Sequence, residues 1–200
     1  MFITFEGIDG SGKSTQIELL KPIAQEKGWL ITRNPGGTSF GAKLRQLLLD
    51  EKDLKLDPTA ELLLFFADRK HHLETEILPA LDRSKVILCD RFQDSTFAYQ
   101  GFGRGLDLKL IDQLYTLVLG RFQPDLTFLF DLDPETAYAR ATHHNKIEAE
   151  GIPFQSRVRE GYLNLLANEP ERFVRIDTDT LSIEEAHQKV LNEILYRAFL

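Results

Sequence analysis

Gly7-Ile8-Asp9-Gly10-Ser11-Gly12-Lys13-Ser14 decides the fold of this chain, because it fills every fixed place of the pattern G-x-x-x-x-G-K-[ST]. Before it, Phe2–Glu6 is an apolar, β-branched and aromatic run that reads as a strand. After it, Lys13–Lys27 has helical spacing and stops at Gly28. Glycines between a strand and a helix let consecutive N–H groups turn inward around a phosphate. The opening helix adds its unpaired N–H groups and the positive end of its dipole. Gly7, Ile8, Asp9, Gly10, Ser11, Gly12, Lys13, Ser14 and Thr15 are therefore expected to surround the phosphates of ATP. Lys13 reaches the β- and γ-phosphates, and the Ser14 hydroxyl ligates Mg²⁺.

Outward from that loop, short apolar runs alternate with longer helical patterns. Expected strands are 2–6, 29–32, 86–90, 127–131 and 173–177; their unbroken apolar character suits strands covered on both faces. Expected helices are 13–27, 41–49, 58–81, 108–119, 134–141, 155–168 and 182–198, the last opened by the capping box Ser182-Ile183-Glu184-Glu185. The alternation predicts an α/β, three-layer P-loop NTPase fold: a five-stranded parallel sheet flanked by helices. The polar stretch 142–153 breaks the pattern and reads as a short, mobile lid on a single domain.

Composition narrows the classes. Two hundred residues with 42% apolar content suit one domain with a real core. A net charge of −7 argues against a nucleic-acid-coating protein, so an anionic ligand must be attracted by local positive charge. The single cysteine, Cys89, forms no internal disulfide and reads as a small buried apolar residue. No apolar run approaches the roughly 20 residues that span a bilayer, and no basic leader precedes Phe2, so the expectation is a cytoplasmic protein with no membrane partner. A GTPase is disfavoured: Asn145-Lys146-Ile147-Glu148 ends in Glu where the guanine-reading motif needs Asp, and Asp90-Arg91-Phe92-Gln93 is not a switch motif. The pairs His71-His72 and His143-His144 lack acidic or thiol partners at ligand spacing and read as solvated.

Four stretches together resemble the thymidylate kinase family. They are Phe5–Thr15, Thr32–Thr38 with Leu44-Arg45, Asp90–Phe92 with Ser95–Gly101, and Pro124–Ala141. The resemblance implies transfer of a phosphoryl group from ATP to dTMP, and a homodimer. It implies that Phe65 stacks on thymine, that Arg69 donates to a thymine carbonyl, and that Thr96 and Gln100 line the base pocket. Tyr99 then excludes a ribose 2′-hydroxyl, Asp9 accepts from the 3′-hydroxyl, and Pro35 and Arg45 lie beside the acceptor phosphate. Arg140 packs on adenine. Phe65 and Phe66 stand about 100° apart on a helix, so one can face the site and the other the core.

The chemistry agrees with that reading. A phosphate acceptor is already anionic near neutral pH, its second pKa being about 6, so no general base is required. Catalysis reduces to positioning and charge neutralisation. Arg91, at the carboxyl end of a predicted strand, is expected to clamp the acceptor phosphate, and Asp90 to hold Mg²⁺ through water. Lys146 stands where the family carries a lid arginine, with Arg157 and Arg159 as the other candidate donor-side cations, and Asn34 replaces a Glu of the family pattern. A nucleotide sensor that kept the pocket and lost turnover is the competing reading.

Overall fold

The computed structural model describes residues 1–51, 53–83, 85–140 and 150–198. Strands β1 (Phe2–Glu6), β2 (Leu30–Arg33), β3 (Ile87–Asp90), β4 (Leu126–Asp131) and β5 (Phe173–Asp177) form one parallel sheet in the order β2-β3-β1-β4-β5. Each lies within a residue or so of the expected run. The register sets Phe5 opposite both Asp90 and Phe128, so β1 and β3 end within a residue of each other and β4 runs two residues past Glu6. The chain travels from β1 toward β3 and β2 on one side and later reaches β4 and β5 on the other. That reversal opens a crevice above the carboxyl ends.

Period-two alternation along β1 divides the core. Ile3 and Phe5 pack on one face with Leu20 of α1 (Lys13–Lys27) and with Val190 and Ile194 of α9 (Ile183–Ala198). Phe2 packs on the other with Leu62 and Phe66 of α3 (Pro58–His72) and Ile111 of α6 (Leu108–Leu119). Three layers result, with the sheet in the middle. Gly28 closes α1 at φ 66°, and Ser182 and Glu185 exchange the two hydrogen bonds of the expected capping box. No described helix is long and apolar enough to cross a membrane.

Several boundaries differ from the sequence reading. The expected helix 41–49 begins earlier, because Thr38 caps α2 (Ser39–Arg45) by accepting from Gly41 N at 2.9 Å, and it ends in a π-helical turn, Gln46–Asp50. The expected helix 58–81 is α3, a π-helical turn Leu73–Ile77, and α4 (Leu78–Asp82). Pro79 lacks the N–H that would bond back to Thr75, so the regular ladder breaks there. After Arg91 the chain forms α5 (Gln93–Thr96) and a π-helical segment, Phe97–Gly103. α7 (Pro134–Arg140) follows β4, and α8 (Ile152–Asn168) starts at Ile152, inside the stretch expected to be a loop. Residues 141–149, and with them Lys146, His143 and His144, lie outside the described residues.

Candidate functional site

Gly10-Ser11-Gly12 turns from β1 into α1 along the wall of a cleft of about 720 Å³. A Cβ on Gly7 would collide with the Phe130 carbonyl, and Gly7 and Gly12 take φ of 136° and 93°, where only glycine is unstrained. Lys13 folds back over the loop, donating from Nζ to Ile8 O at 2.8 Å and to Ser11 Oγ at 3.4 Å. Burial, and next the positive charge of Arg91, bring its pKa down to about 8. Of the loop residues, Asp9 through Thr15 line the cleft. The Ile8 side chain instead joins the core at 2% exposure, and Gly7 contributes a carbonyl to Arg91.

Arg91 follows β3 in a left-handed conformation, φ 66°. Its N–H donates to Phe5 O at 3.0 Å, which pins it to β1. From there the guanidinium reaches into the cleft. Nη1 donates to Gly7 O at 2.8 Å, Tyr162 Oη at 3.1 Å and Ser95 Oγ at 3.3 Å, and Nη2 donates to Asp9 Oδ1 at 2.6 Å. The Tyr99 ring lies 5.0 Å below it, and the Tyr99 hydroxyl donates to Asp9 Oδ2 at 3.1 Å. Burial opposes ionisation of Asp9, but Arg91 and Lys13 together hold its carboxyl below the usual range. Behind Arg91, fully buried Glu6 accepts from Phe92 N and Ser95 Oγ, both at 2.6 Å, and from Tyr162 Oη at 2.9 Å. Glu6 and Ser95 have no role in the sequence reading, and Tyr162 reads there as either core or site-facing. Tyr162 is 71 residues from Arg91, and no local motif joins them.

Lys13, Asp90, Arg91, Arg45 and Arg140 all line this one cleft. Asp90 Oδ1 is buried with no hydrogen-bond partner among the described residues, beside exposed Ser14. At the far end the cleft is walled by Thr178, Leu181 and Ser182 of the loop after β5, where the sequence assigned no residue, and by Ile183 at the start of α9.

A second, narrower cavity of about 70 Å³ opens beside Asp9 and Arg91 and is lined by Pro35, Arg45, Leu49, Phe65, Arg69, Ser95, Thr96, Tyr99 and Gln100. Phe65 faces it, while Phe66 turns into the core beneath the sheet, as the 100° spacing requires. Arg45 Nη1 donates to Pro35 O at 3.1 Å. Arg69, 1% exposed, is held by neutral acceptors: Asn34 Oδ1 at 2.9 Å, Gln93 Oε1 at 2.9 Å and Thr96 Oγ1 at 2.6 Å. Thr96 thus meets the pocket by orienting Arg69.

Two sequence readings are corrected here. His72 is not solvated: it is fully buried, with Nε2 2.7 Å from Thr32 Oγ1, and burial brings its pKa down to about 4. Arg157 and Arg159 do not face the cleft as free cations. Arg157 donates to Gly103 O at 3.0 Å, and Arg159 pairs with Asp131 at 2.6 Å.

A phosphate-cradling loop joined to an arginine-lined second pocket defines a P-loop phosphotransferase that brings two anionic substrates together. The thymidylate kinase family model matches residues 5–190. A thymidylate kinase of Wolbachia sp. subsp. Brugia malayi is 44% identical over 97% of this chain and 95% of its own. That of Synechococcus sp. (strain JA-3-3Ab) is 49% identical over 93% of this chain and 91% of its own. The crystal structure of thymidylate kinase from Ehrlichia chaffeensis superimposes with a TM-score of 0.80 at 40% identity, covering 98% of each chain. The chain belongs to the thymidylate kinase family, and it is an ATP-dependent nucleoside monophosphate kinase.

Proposed function

We propose that this cleft transfers the γ-phosphoryl group of ATP to dTMP, giving dTDP and ADP for dTTP synthesis. The observation that carries the reading is that Lys13 and Arg91 line the same hollow, with a second pocket, lined by Phe65 and Arg69, opening beside Arg91. An oxygen of the dTMP phosphate forms the new bond to the γ-phosphorus. The bond from that phosphorus to the β–γ bridging oxygen breaks, and ADP leaves with the electron pair. The acceptor oxygen is already anionic, so no side chain takes a proton.

Each residue acts by position and charge. The P-loop N–H groups and Lys13 hold the β- and γ-phosphates, and Arg140 and the loop after β5 receive adenine. Nη1 of Arg91 is fully engaged by the protein, which leaves the Nε and Nη2 edge of the fork for phosphate oxygens. Pro35 and Arg45 border the acceptor phosphate, and Asp9 accepts from the 3′-hydroxyl. Phe65 stacks on thymine, Arg69 and Gln100 read its edge, and Tyr99 fills the space that a 2′-hydroxyl would need. The Asp90 carboxylate, whose Oδ1 has no hydrogen-bond partner among the described residues, and the Ser14 hydroxyl are the groups that fit Mg²⁺. When bound, the metal neutralises charge on the β- and γ-oxygens. Lys146 supplies further positive charge on the donor side. The working form is a homodimer in the cytoplasm, an assembly that sedimentation velocity reads directly.

Steady-state phosphorylation of dTMP, dUMP, dCMP, dGMP and UMP tests the assignment. dTMP is expected to have the highest kcat/KM and UMP to lose most through Tyr99. Equal use of dTMP and UMP would refute the pocket reading.

A further inference from the structure

We propose that Glu61 is a positioning residue that sets the hydrogen-bond polarity of the base pocket by capturing the amide of Gln100. The inference rests on the reading that this pocket holds the base. Glu61 sits in the first turn of α3, 3% exposed, and accepts from Gln100 Nε2 at 3.0 Å. Gln100 is itself 3% exposed and lines the pocket.

A side-chain amide is ambiguous by nature: one end donates and the other accepts, and a half-turn about its last bond exchanges them. A carboxylate can only accept. With Glu61 at its back, Gln100 must turn its NH₂ away from the pocket and present its carbonyl to the ligand. Arg104 holds Glu61 in place from the other side, with Nε and Nη2 each 3.4 Å from its oxygens. Arg69 has the opposite character, since a guanidinium only donates.

The pocket therefore offers one obligate donor and one acceptor made obligate by its neighbour. Thymine matches that order, with a carbonyl at position 4 and an N–H at position 3. Cytosine reverses both, with an amino group at position 4 and a bare nitrogen at position 3. A site whose buried polar groups are left unpaired by the wrong base rejects it strongly. Without Glu61 the Gln100 amide is free to turn and donate to a position-3 nitrogen, so half of the discrimination is lost.

The measurement is the kcat/KM ratio of dTMP to 5-methyl-dCMP, which share the methyl group and differ only along the edge being read. In Glu61→Gln, whose neutral amide can donate as well as accept, the ratio is expected to fall by about tenfold or more. Glu61→Asp keeps the charge and the Arg104 pair but withdraws the acceptor by one methylene, so it should narrow the ratio too. It also serves if the glutamine variant does not fold. Gln100→Met separates the two levels of the argument. If it narrows the ratio and both Glu61 variants leave it at the wild-type value, the role of Glu61 is overturned and the pocket assignment stands. If Gln100→Met also leaves the ratio unchanged while Arg69→Met narrows it, Gln100 does not read the base and the role of Glu61 falls. If neither variant moves it, the pocket does not read the base and both readings fall.

Discussion

Arg91 combines a left-handed backbone, four side-chain contacts and a place between the two cavities, so its substitution tests the chemistry at its centre. Arg91→Ala is expected to lower kcat by roughly 10³–10⁵, the range for removing an arginine that neutralises a transferring phosphoryl group. Arg91→Lys keeps a charge but cannot span Gly7, Asp9 and a phosphate at once, so its kcat should stay far below wild type. Lys13 carries a pH prediction. Burial brings its pKa down to about 8, and an anionic phosphate must raise it again. ATP binding should therefore take up a proton above pH 8 and weaken as pH rises further. Calorimetry in buffers of different ionisation enthalpy reads that uptake directly, and pH-independent affinity between 7 and 9 would contradict it. At this scale the P-loop, Arg91, Phe65 and Gln100 were legible because each lies in a short contiguous motif. The contact of Glu6 with Tyr162 was not, because 156 residues separate two groups that meet at 2.9 Å.

Elements were legible in proportion to their periodicity. β1, α1, α6 and β5 carry clean apolar patterns with stops at their ends, and they form at the residues expected. The segment Gln93–Gly103 left its helical character open, because Gly101 and Gly103 are poor helix formers that answer to packing. A Cβ on Gly103 would come within 2.8 Å of Phe154, so the glycine is there to let α8 approach. α8 began before its expected start for a related reason: Phe154 and Val158 bury against that glycine, and tertiary contact extends the helix past its sequence signal. Two predictions belong here. His72 ties α3 to Thr32 of β2 and is neutral when folded, its pKa lowered from 6.5 to about 4. Below pH 6.5 the unfolded chain binds a proton that the folded chain cannot, so stability falls as pH drops from 6.5 toward 4. The loss reaches up to roughly 3 kcal/mol, and His72→Gln should flatten the slope in urea titrations. Arg172, at the entrance to β5, forms a buried pair with Asp94 of α5 at 2.7 Å and also donates to Thr127 Oγ1 at 2.7 Å. Arg172→Ala leaves that carboxylate buried without its cation and should cost roughly 3–5 kcal/mol, while Arg172→Met with Asp94→Leu should recover much of the loss.

Across the whole molecule, charge is distributed against the net balance. The chain carries −7 overall, yet Lys13, Arg45, Arg91 and Arg140 converge on one cleft. Two polyanionic substrates then meet only because local cations outweigh the long-range field. Asp131, at the end of β4, takes up Arg159 at 2.6 Å and Arg175 at 2.5 Å, and Arg157 is occupied by the Gly103 carbonyl, so these three arginines are already committed to protein acceptors. Lys146, outside the described residues, is the other donor-side candidate that the sequence offers. A charge that acts mainly in the transition state changes kcat more than KM. Lys146→Ala should therefore lower kcat by about tenfold or more, with the KM for dTMP changed by less than about threefold. Arg159→Met is the counter-test. Asp131 keeps Arg175 as its partner, so the fold tolerates the loss, and kcat should hold if Arg159 only anchors α8 to β4. A steep fall in kcat for Arg159→Met, together with wild-type kcat for Lys146→Ala, would show that Arg159 exchanges Asp131 for the phosphoryl group during turnover.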